Sequence, residues 1–206
     1  IDGLDAAQLM GPRLPVVNPL RWEIGHTAYF YEYWVLRQHL GLEPVFDSVD
    51  SLYDSISIAH DDRWDLPLPS LEDTLTYMRA VHDRVRRHVE QDGPDSRRDY
   101  LLEYAVYHED MHTEAFTYTR QTLAYPTPAI GAVPDELMQG RLAGDAQIPG
   151  GSFMLGATPQ DGFVFDNEKW AHAVEVRPFA IARAAVSNAE YAAFADAGGY
   201  RDARYW

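Results

Sequence analysis

The run from Asp95 to Ala124, DSRRDYLLEYAVYHEDMHTEAFTYTRQTLA, contains neither glycine nor proline and carries His108 and His112 four residues apart in the string HEDMH. Such an uninterrupted stretch predicts one long helix that ends before Pro126. On a helix, residues four apart share a face, so both imidazoles can reach one metal ion. The fold must then set the middle of this helix against a second element able to complete the site. The spelling also satisfies H-E-x-x-H, the zinc motif in which two histidines bind the metal and the glutamate is the general base. A zinc hydrolase of that kind needs a third ligand downstream, and Thr113 to Tyr118 supplies neither the glycine nor the histidine of the extended pattern. Glu136 is a remaining candidate, but it lies in a segment expected to be a linker.

Other helices are announced by their ends. Asn18-Pro19 is expected to open one, with Asn18 as cap, and Gly41 to stop it after Leu40. On it Trp22, His26, Tyr29 and Tyr33 fall on one stripe. Shorter helices are expected around Asp5 to Met10 and Ser48 to Ser55, followed by a loop without periodicity, HDDRWDLPLP. Ser70 to Asp73 reads as a capping box, and Leu75, Met78, Val81, Val85 and Val89 then recur at helical spacing until Gly93. These elements suit an antiparallel bundle with a metal site between facing helices. His26, in the middle of an aromatic stripe, is the third candidate ligand, because an unpartnered imidazole there is costly. Three histidines would leave one side of the metal open, as a catalytic site requires. The competing reading makes all three polar core residues. His39, His82 and His88 are expected at solvated helix positions.

Composition narrows the function classes. The 206 residues carry 17 Lys plus Arg against 32 Asp plus Glu, a formal net charge of -15, which opposes binding to nucleic acid or to anionic membranes. With no cysteine there is no disulfide, Cys-ligated zinc or thiol nucleophile. No run reaches the length of a membrane span and no signal-peptide layout opens the chain, so a soluble cytoplasmic protein is expected.

The expected organisation is a helical bundle over 1–124, a Pro/Gly/Ala-rich linker over 125–146 with one helical turn at Asp135 to Gln139, and a strand-bearing segment over 147–206. In the last, IPGGSFMLGA precedes HAVEVRPFAIARAAV, whose Val174, Val176 and Phe179 to Ile181 suggest a partly buried strand. Ser187 with Glu190 forms a capping box for a short helix ending at Gly198-Gly199. Some sixty residues of this kind make a poor independent domain and are expected to begin a larger one.

The segments WEIGH, YHEDMH, IPGGSFMLGA, FDNEKWAHAVEV, VSNAEYAAF and GGYRDARYW together resemble the ergothioneine-sulfoxide synthase family and its sister, selenoneine synthase. The resemblance implies an α+β chain: a DinB-like four-helix bundle, then the start of a C-type-lectin-like formylglycine-generating-enzyme domain. It implies a mononuclear non-haem Fe(II) held by His26, His108 and His112. It further implies that O2 and a sulfur or selenium donor act at imidazole C2 of hercynine, the trimethylated betaine of histidine. The family's catalytic tyrosine belongs to a later part of the second domain than the position of Trp206. Bundle aromatics such as Trp22 are expected to help hold the trimethylammonium group by cation–π attraction.

Two departures bear on the donor. Thiol-using members hold the carboxylates of γ-glutamylcysteine with two loop arginines, and the register YDSISIAHDDRWDLPLP places His60 and Arg63 there, so one arginine remains. For Arg63 the alternatives are a salt bridge to its acidic neighbours or a clamp on a substrate carboxylate. A glutamine that contacts the betaine in some members is Met111 here. Both changes weaken the case for γ-glutamylcysteine as donor, and the segments LYDSISIAHDDRWDLPLP and HEDMHTEAF more closely resemble the selenoneine branch, whose donor is a selenosugar. The alternatives are an ergothioneine-type synthase using cysteine or another thiol, or a non-catalytic metal-binding module.

Overall fold

A computed structural model describes residues 1–129, 131 and 142–206, and the chain divides into two compact units, 1–131 and 132–206. In the first, α1 (Ala6–Met10) starts from Asp5, whose carboxylate accepts the Gln8 N–H at 2.8 Å while the Gln8 side chain returns the bond to the Asp5 N–H at 3.0 Å. Then come α2 (Leu20–Tyr31), α3 (Val49–Tyr53), α4 (Leu71–Gln91) and α5 (Ser96–Thr122). Ser70 caps α4 and Asp95 caps α5, each by accepting backbone N–H groups of the first turn.

The element that organises this unit is α2. Ten of its 12 residues are buried, so it is enclosed on every side rather than laid on a surface. Trp22, Ala28, Tyr29 and Tyr31 pack with Leu52 and Tyr53 of α3, Tyr77, Val81 and Val85 of α4, and Leu101 and Ala105 of α5. One position permits the closest approach: a Cβ on Gly25 would stand 2.1 Å from Cε1 of Tyr53, so only glycine lets α3 lie this near. The polar groups of such a helix must find protein partners, which is the physical reason for the network described below.

Three local expectations are corrected. Asn18 does not cap α2; no side chain does, because the Asn18 amide is engaged by Glu23 and Arg63. The helix does not run as α-helix to Leu40 but widens into a π-helical segment over Glu32–His39. There the fully buried Glu32 carboxylate accepts hydrogen bonds from the Val45 N–H and the Tyr77 hydroxyl. The loop HDDRWDLPLP contains a 3-10 turn, His60–Trp64.

In the second unit β1 (Asp145–Ile148) pairs antiparallel with β4 (Phe179–Ala182), and β2 (Gly151–Leu155) with β3 (His172–Val176). Asp145 lies opposite Ala182, and Gly151 opposite Val176. The single strand expected across Val174 to Ile181 is two strands, separated at Pro178, which has no N–H to give a ladder. Phe179 and Ile181 are exposed rather than partly buried. Helix α6 (Asn188–Asp196) begins with the expected Ser187 capping box, and Gly198 follows it with φ of 79°. The helical turn expected at Asp135 to Gln139 lies outside the described residues. Among the described residues no helix is long and apolar enough to cross a membrane.

Candidate metal centre

Helix α2 contributes His26 and α5 contributes His108 and His112, and one ligand nitrogen from each lies within 4.8 Å of the others. The two α5 rings face each other through Nε2 atoms 3.1 Å apart, and the His26 ring sits edge-on to both, with centroids at 5.0 and 4.8 Å.

Each ring is held by something behind it. His26 Nδ1 is 2.8 Å from the Tyr53 carbonyl. A carbonyl only accepts, so Nδ1 carries the proton and Nε2 presents a lone pair. Trp22 stacks on His26 at 4.5 Å and 11°, and its own Nε1–H donates to the Leu52 carbonyl at 2.8 Å. The last two residues of α3 thus orient two side chains of α2. His108 stacks on Phe30 with centroids 3.7 Å apart and 9° between the planes. His112 donates from Nδ1 to Glu23, a carboxylate with only 2% of its side chain exposed, and Glu23 Oε1 accepts from Asn18 Nδ2 at 2.6 Å.

Electrostatics keep these rings ready to ligate. Burial pulls His26 down to about 4, against the opposing effect of the Tyr53 carbonyl and with a further push from His112. Burial, then the neighbouring His112 and His26, pulls His108 down to about 2. Both are neutral at pH 7, the form a metal needs. His108 Nδ1 is buried and without a hydrogen-bond partner among the described residues, so the ring's polar function is directed through Nε2. Adjacent ligands at a right angle on an ion with metal–nitrogen bonds of about 2.1 Å lie about 3.0 Å apart. The His108–His112 spacing of 3.1 Å matches that. Three imidazoles suit iron, zinc, copper or nickel rather than magnesium or calcium. The residues fit a first-row transition ion, and Glu23 completes a carboxylate–histidine–metal arrangement from the outer side.

Glu109, the would-be general base, points elsewhere. Its Oε2 accepts from the Tyr31 hydroxyl at 2.7 Å, tying α5 to α2. The carboxylate bonded to a candidate ligand is therefore Glu23, which sequence reasoning passed over. Its signal was present: Glu23 lies three residues before His26, on a helix too apolar for a solvated acid.

The other predicted site residues divide. Trp22 is 1% exposed, covered by His26 and by the Arg63 guanidinium, whose carbon lies 4.1 Å from the ring centre. That corrects its expected role, because the ring has no face left for a substrate ammonium. Arg63 donates to Asn18 Oδ1 at 2.7 Å and, among the described residues, forms no ion pair with its acidic neighbours. His60 lies between the Val17 carbonyl, at 2.8 Å, and the Asp61 carboxylate, at 3.0 Å. Met111 is exposed on α5. His39 and His88 are not simply solvated: they pair with Asp95 at 2.7 Å and Asp92 at 2.5 Å, while the His82 ring meets that of Tyr31 edge-on.

A family model described as the DinB superfamily matches residues 1–116. The chain belongs to the DinB superfamily. A second model, described as a sulfatase-modifying factor enzyme 1-like domain, matches residues 132–206. The chain is 34% identical to the hercynine oxygenase of Mycolicibacterium thermoresistibile, over 98% of its own length and 46% of that protein. It is 29% identical to the hercynine oxygenase of Mycolicibacterium smegmatis, over 98% of the chain and 48% of that protein. With the formylglycine-generating enzyme of Streptomyces coelicolor it shares 39% identity over 38% of the chain and 25% of that protein. The chain thus spans about half the length of the hercynine oxygenases it matches. Domain order and relatives together support the ergothioneine-synthase-like family expected from the motifs. The α+β class is as expected: a helical DinB domain, then a small β region of a formylglycine-generating-enzyme-like domain.

Proposed function

We propose that the chain carries the metal centre of a non-haem Fe(II)- and O2-dependent synthase that forms a C–Se or C–S bond at imidazole C2 of hercynine. The observation that carries this reading is the convergence of His26, His108 and His112, two of them held neutral by burial, with no carboxylate among the ligands. When bound, iron would supply a redox-active centre with open positions at which dioxygen and the chalcogen donor meet the substrate imidazole.

The chain's residues have separable tasks. The Tyr53 carbonyl fixes the His26 tautomer, and Glu23 fixes that of His112. Phe30 and Trp22 hold the His108 and His26 rings by stacking, and Trp22, Phe30 and Tyr53 keep water from their backs. Arg63 is the donor-side cation. With His60 committed to Val17 and Asp61, a donor meets one arginine rather than a pair, which favours a donor without two carboxylates to anchor, such as a selenosugar. A thiol such as cysteine is the second reading, and the exposed side chain of Met111 offers the betaine no hydrogen bond in either case. The Glu109–Tyr31 bond disfavours a zinc hydrolase.

The test is anaerobic loading with Fe(II), followed by hercynine, O2 and either a selenosugar or a thiol, with mass spectrometry of the C2 product. A selenium adduct supports the first donor and a sulfur adduct the second. Full metal loading with no C2-modified product from any donor would favour a metal-binding module instead.

A further inference from the structure

The Arg63 guanidinium is joined to two of the three histidines by separate routes. Along one, Arg63 Nη1 donates to Asn18 Oδ1 at 2.7 Å, Asn18 Nδ2 donates to Glu23 Oε1 at 2.6 Å, and Glu23 Oε2 accepts from His112 Nδ1. Along the other, Arg63 lies on Trp22 and Trp22 stacks on His26. Asn18 is the joint of the first route, with its amide accepting at one end and donating at the other. The turn that carries Arg63 is otherwise pinned at its edges, by His60 to the Val17 carbonyl and by Trp64 Nε1 to the Met10 and Gly11 carbonyls, each 3.1 Å away. Inside the turn the Asp62 N–H reaches the Ala59 carbonyl at 3.1 Å and the Asp65 N–H reaches the Asp62 carbonyl at 2.9 Å. The turn is one short 3-10 segment with Asp61, Asp62 and Asp65 exposed, and a short surface segment of this kind opens locally at small cost.

We propose that Asn18 is a positioning residue that couples the metal centre to the Arg63 turn, so that loading the metal sets the donor-binding turn in place. This rests on the three-histidine reading above. An ion on His112 Nε2 holds that ring with its Nδ1–H directed at Glu23. The buried Glu23 carboxylate then has one favourable orientation, which fixes the Asn18 amide and through it the guanidinium. By linkage, a group that engages Arg63 changes metal affinity by the same factor as metal changes its own. Metal and a group that engages Arg63 therefore strengthen each other's binding, by about fivefold or more.

The test uses Zn(II), which three imidazoles hold and which needs no exclusion of oxygen. Hydrogen exchange of the amides of residues 60–65 is followed with and without one equivalent of Zn(II). In the unmodified chain the metal should slow this exchange by about fivefold or more, the lower end of ordinary site-to-site coupling. In Asn18→Ala the turn should lose most of its response, with only what passes through Trp22 remaining, although Zn(II) still binds. If Asn18→Ala does not fold, Arg63→Ala, which removes a partly buried side chain lying over Trp22, gives the reciprocal reading through Zn(II) affinity. Coupling by position predicts weaker binding, about fivefold. Simple charge repulsion predicts the opposite, tighter binding once a cation is removed. Slow exchange at 60–65 that ignores bound metal, a full response in Asn18→Ala, or tighter binding in Arg63→Ala each overturns the proposal. Failure of the unmodified chain to bind Zn(II) at all would instead overturn the metal centre itself.

Discussion

Replacing Gly25 by alanine tests how the ligand frame is built. In an ordinary helix interior the change would stabilise by about 1 kcal/mol, because alanine has less backbone entropy to lose. Here the new methyl would meet Tyr53 Cε1 at 2.1 Å, Cζ at 2.2 Å and the hydroxyl oxygen at 2.6 Å. The ring must retreat by roughly 1.5 Å to reach ordinary contact at about 3.5–4.0 Å. It has little room, being 2% exposed and lying parallel to the Tyr77 ring at 5.8 Å. Overpacking of this kind costs about 1–3 kcal/mol or somewhat more, and a rigid buried ring belongs at the upper end. Set against the helix gain, the net expectation is a destabilisation of about 2 kcal/mol, which for a chain of this size lowers Tm by roughly 5 °C. Because Tyr53 moves with its carbonyl, His26 loses its orientation, and metal affinity should fall about 10- to 100-fold. Differential scanning calorimetry and anaerobic metal titration read the two effects. An alanine variant that is equally or more stable, with unchanged affinity, would refute the close-approach argument.

Glu23→Gln should leave the fold nearly intact but weaken Fe(II) or Zn(II) binding about 10- to 100-fold, since the outer carboxylate on His112 is lost; unchanged affinity in a competition titration would contradict its role. Glu109→Gln should cost about 1–2 kcal/mol through the Tyr31 bond while leaving metal affinity alone, and a large loss of affinity would show Glu109 acting at the metal instead. Asp50 accepts from Arg37 at 2.6 and 3.0 Å and from Tyr29 at 2.8 Å, and Arg37 chiefly holds its carboxyl below the ordinary range. Its folded pKa is thus depressed, so the stabilisation is complete above about pH 4 and is lost as pH falls through the lowered value. The pair is partly exposed, so Asp50→Asn should cost only about 0.5–1 kcal/mol at pH 7 and flatten the acid limb of the stability profile. An unchanged acid limb in denaturant titrations would count against this.

What the sequence made legible was what short-range chemistry decides. Ser70 and Ser187 cap their helices as expected because a cap involves only the residues of its own first turn. The three-histidine cluster was legible too, two members from helical spacing and His26 from its place on an apolar stripe. What failed depends on contacts between distant segments. Asn18 has the right side chain for a cap, yet Glu23 and Arg63 compete for it and win. The π-helical turns follow a buried Glu32 whose partners, Val45 and Tyr77, come from other elements. The carbonyls of Leu52 and Tyr53, which orient Trp22 and His26, are backbone groups that no residue pattern reveals. Glu23 and Glu109 exchanged their expected importance for the same reason: a helix position says which face a carboxylate leaves from, not which hydroxyl or imidazole waits there.

The claim on which the rest depends is that His26, His108 and His112 hold one metal together. Anaerobic titration of Fe(II) into the chain, with metal content measured after gel filtration, should give one ion per chain, and His26→Ala and His108→Ala should each lose stoichiometric binding. Full occupancy in His26→Ala would contradict the account, because it would confine the site to the helical pair on α5 and leave the α2 network without a metal to serve.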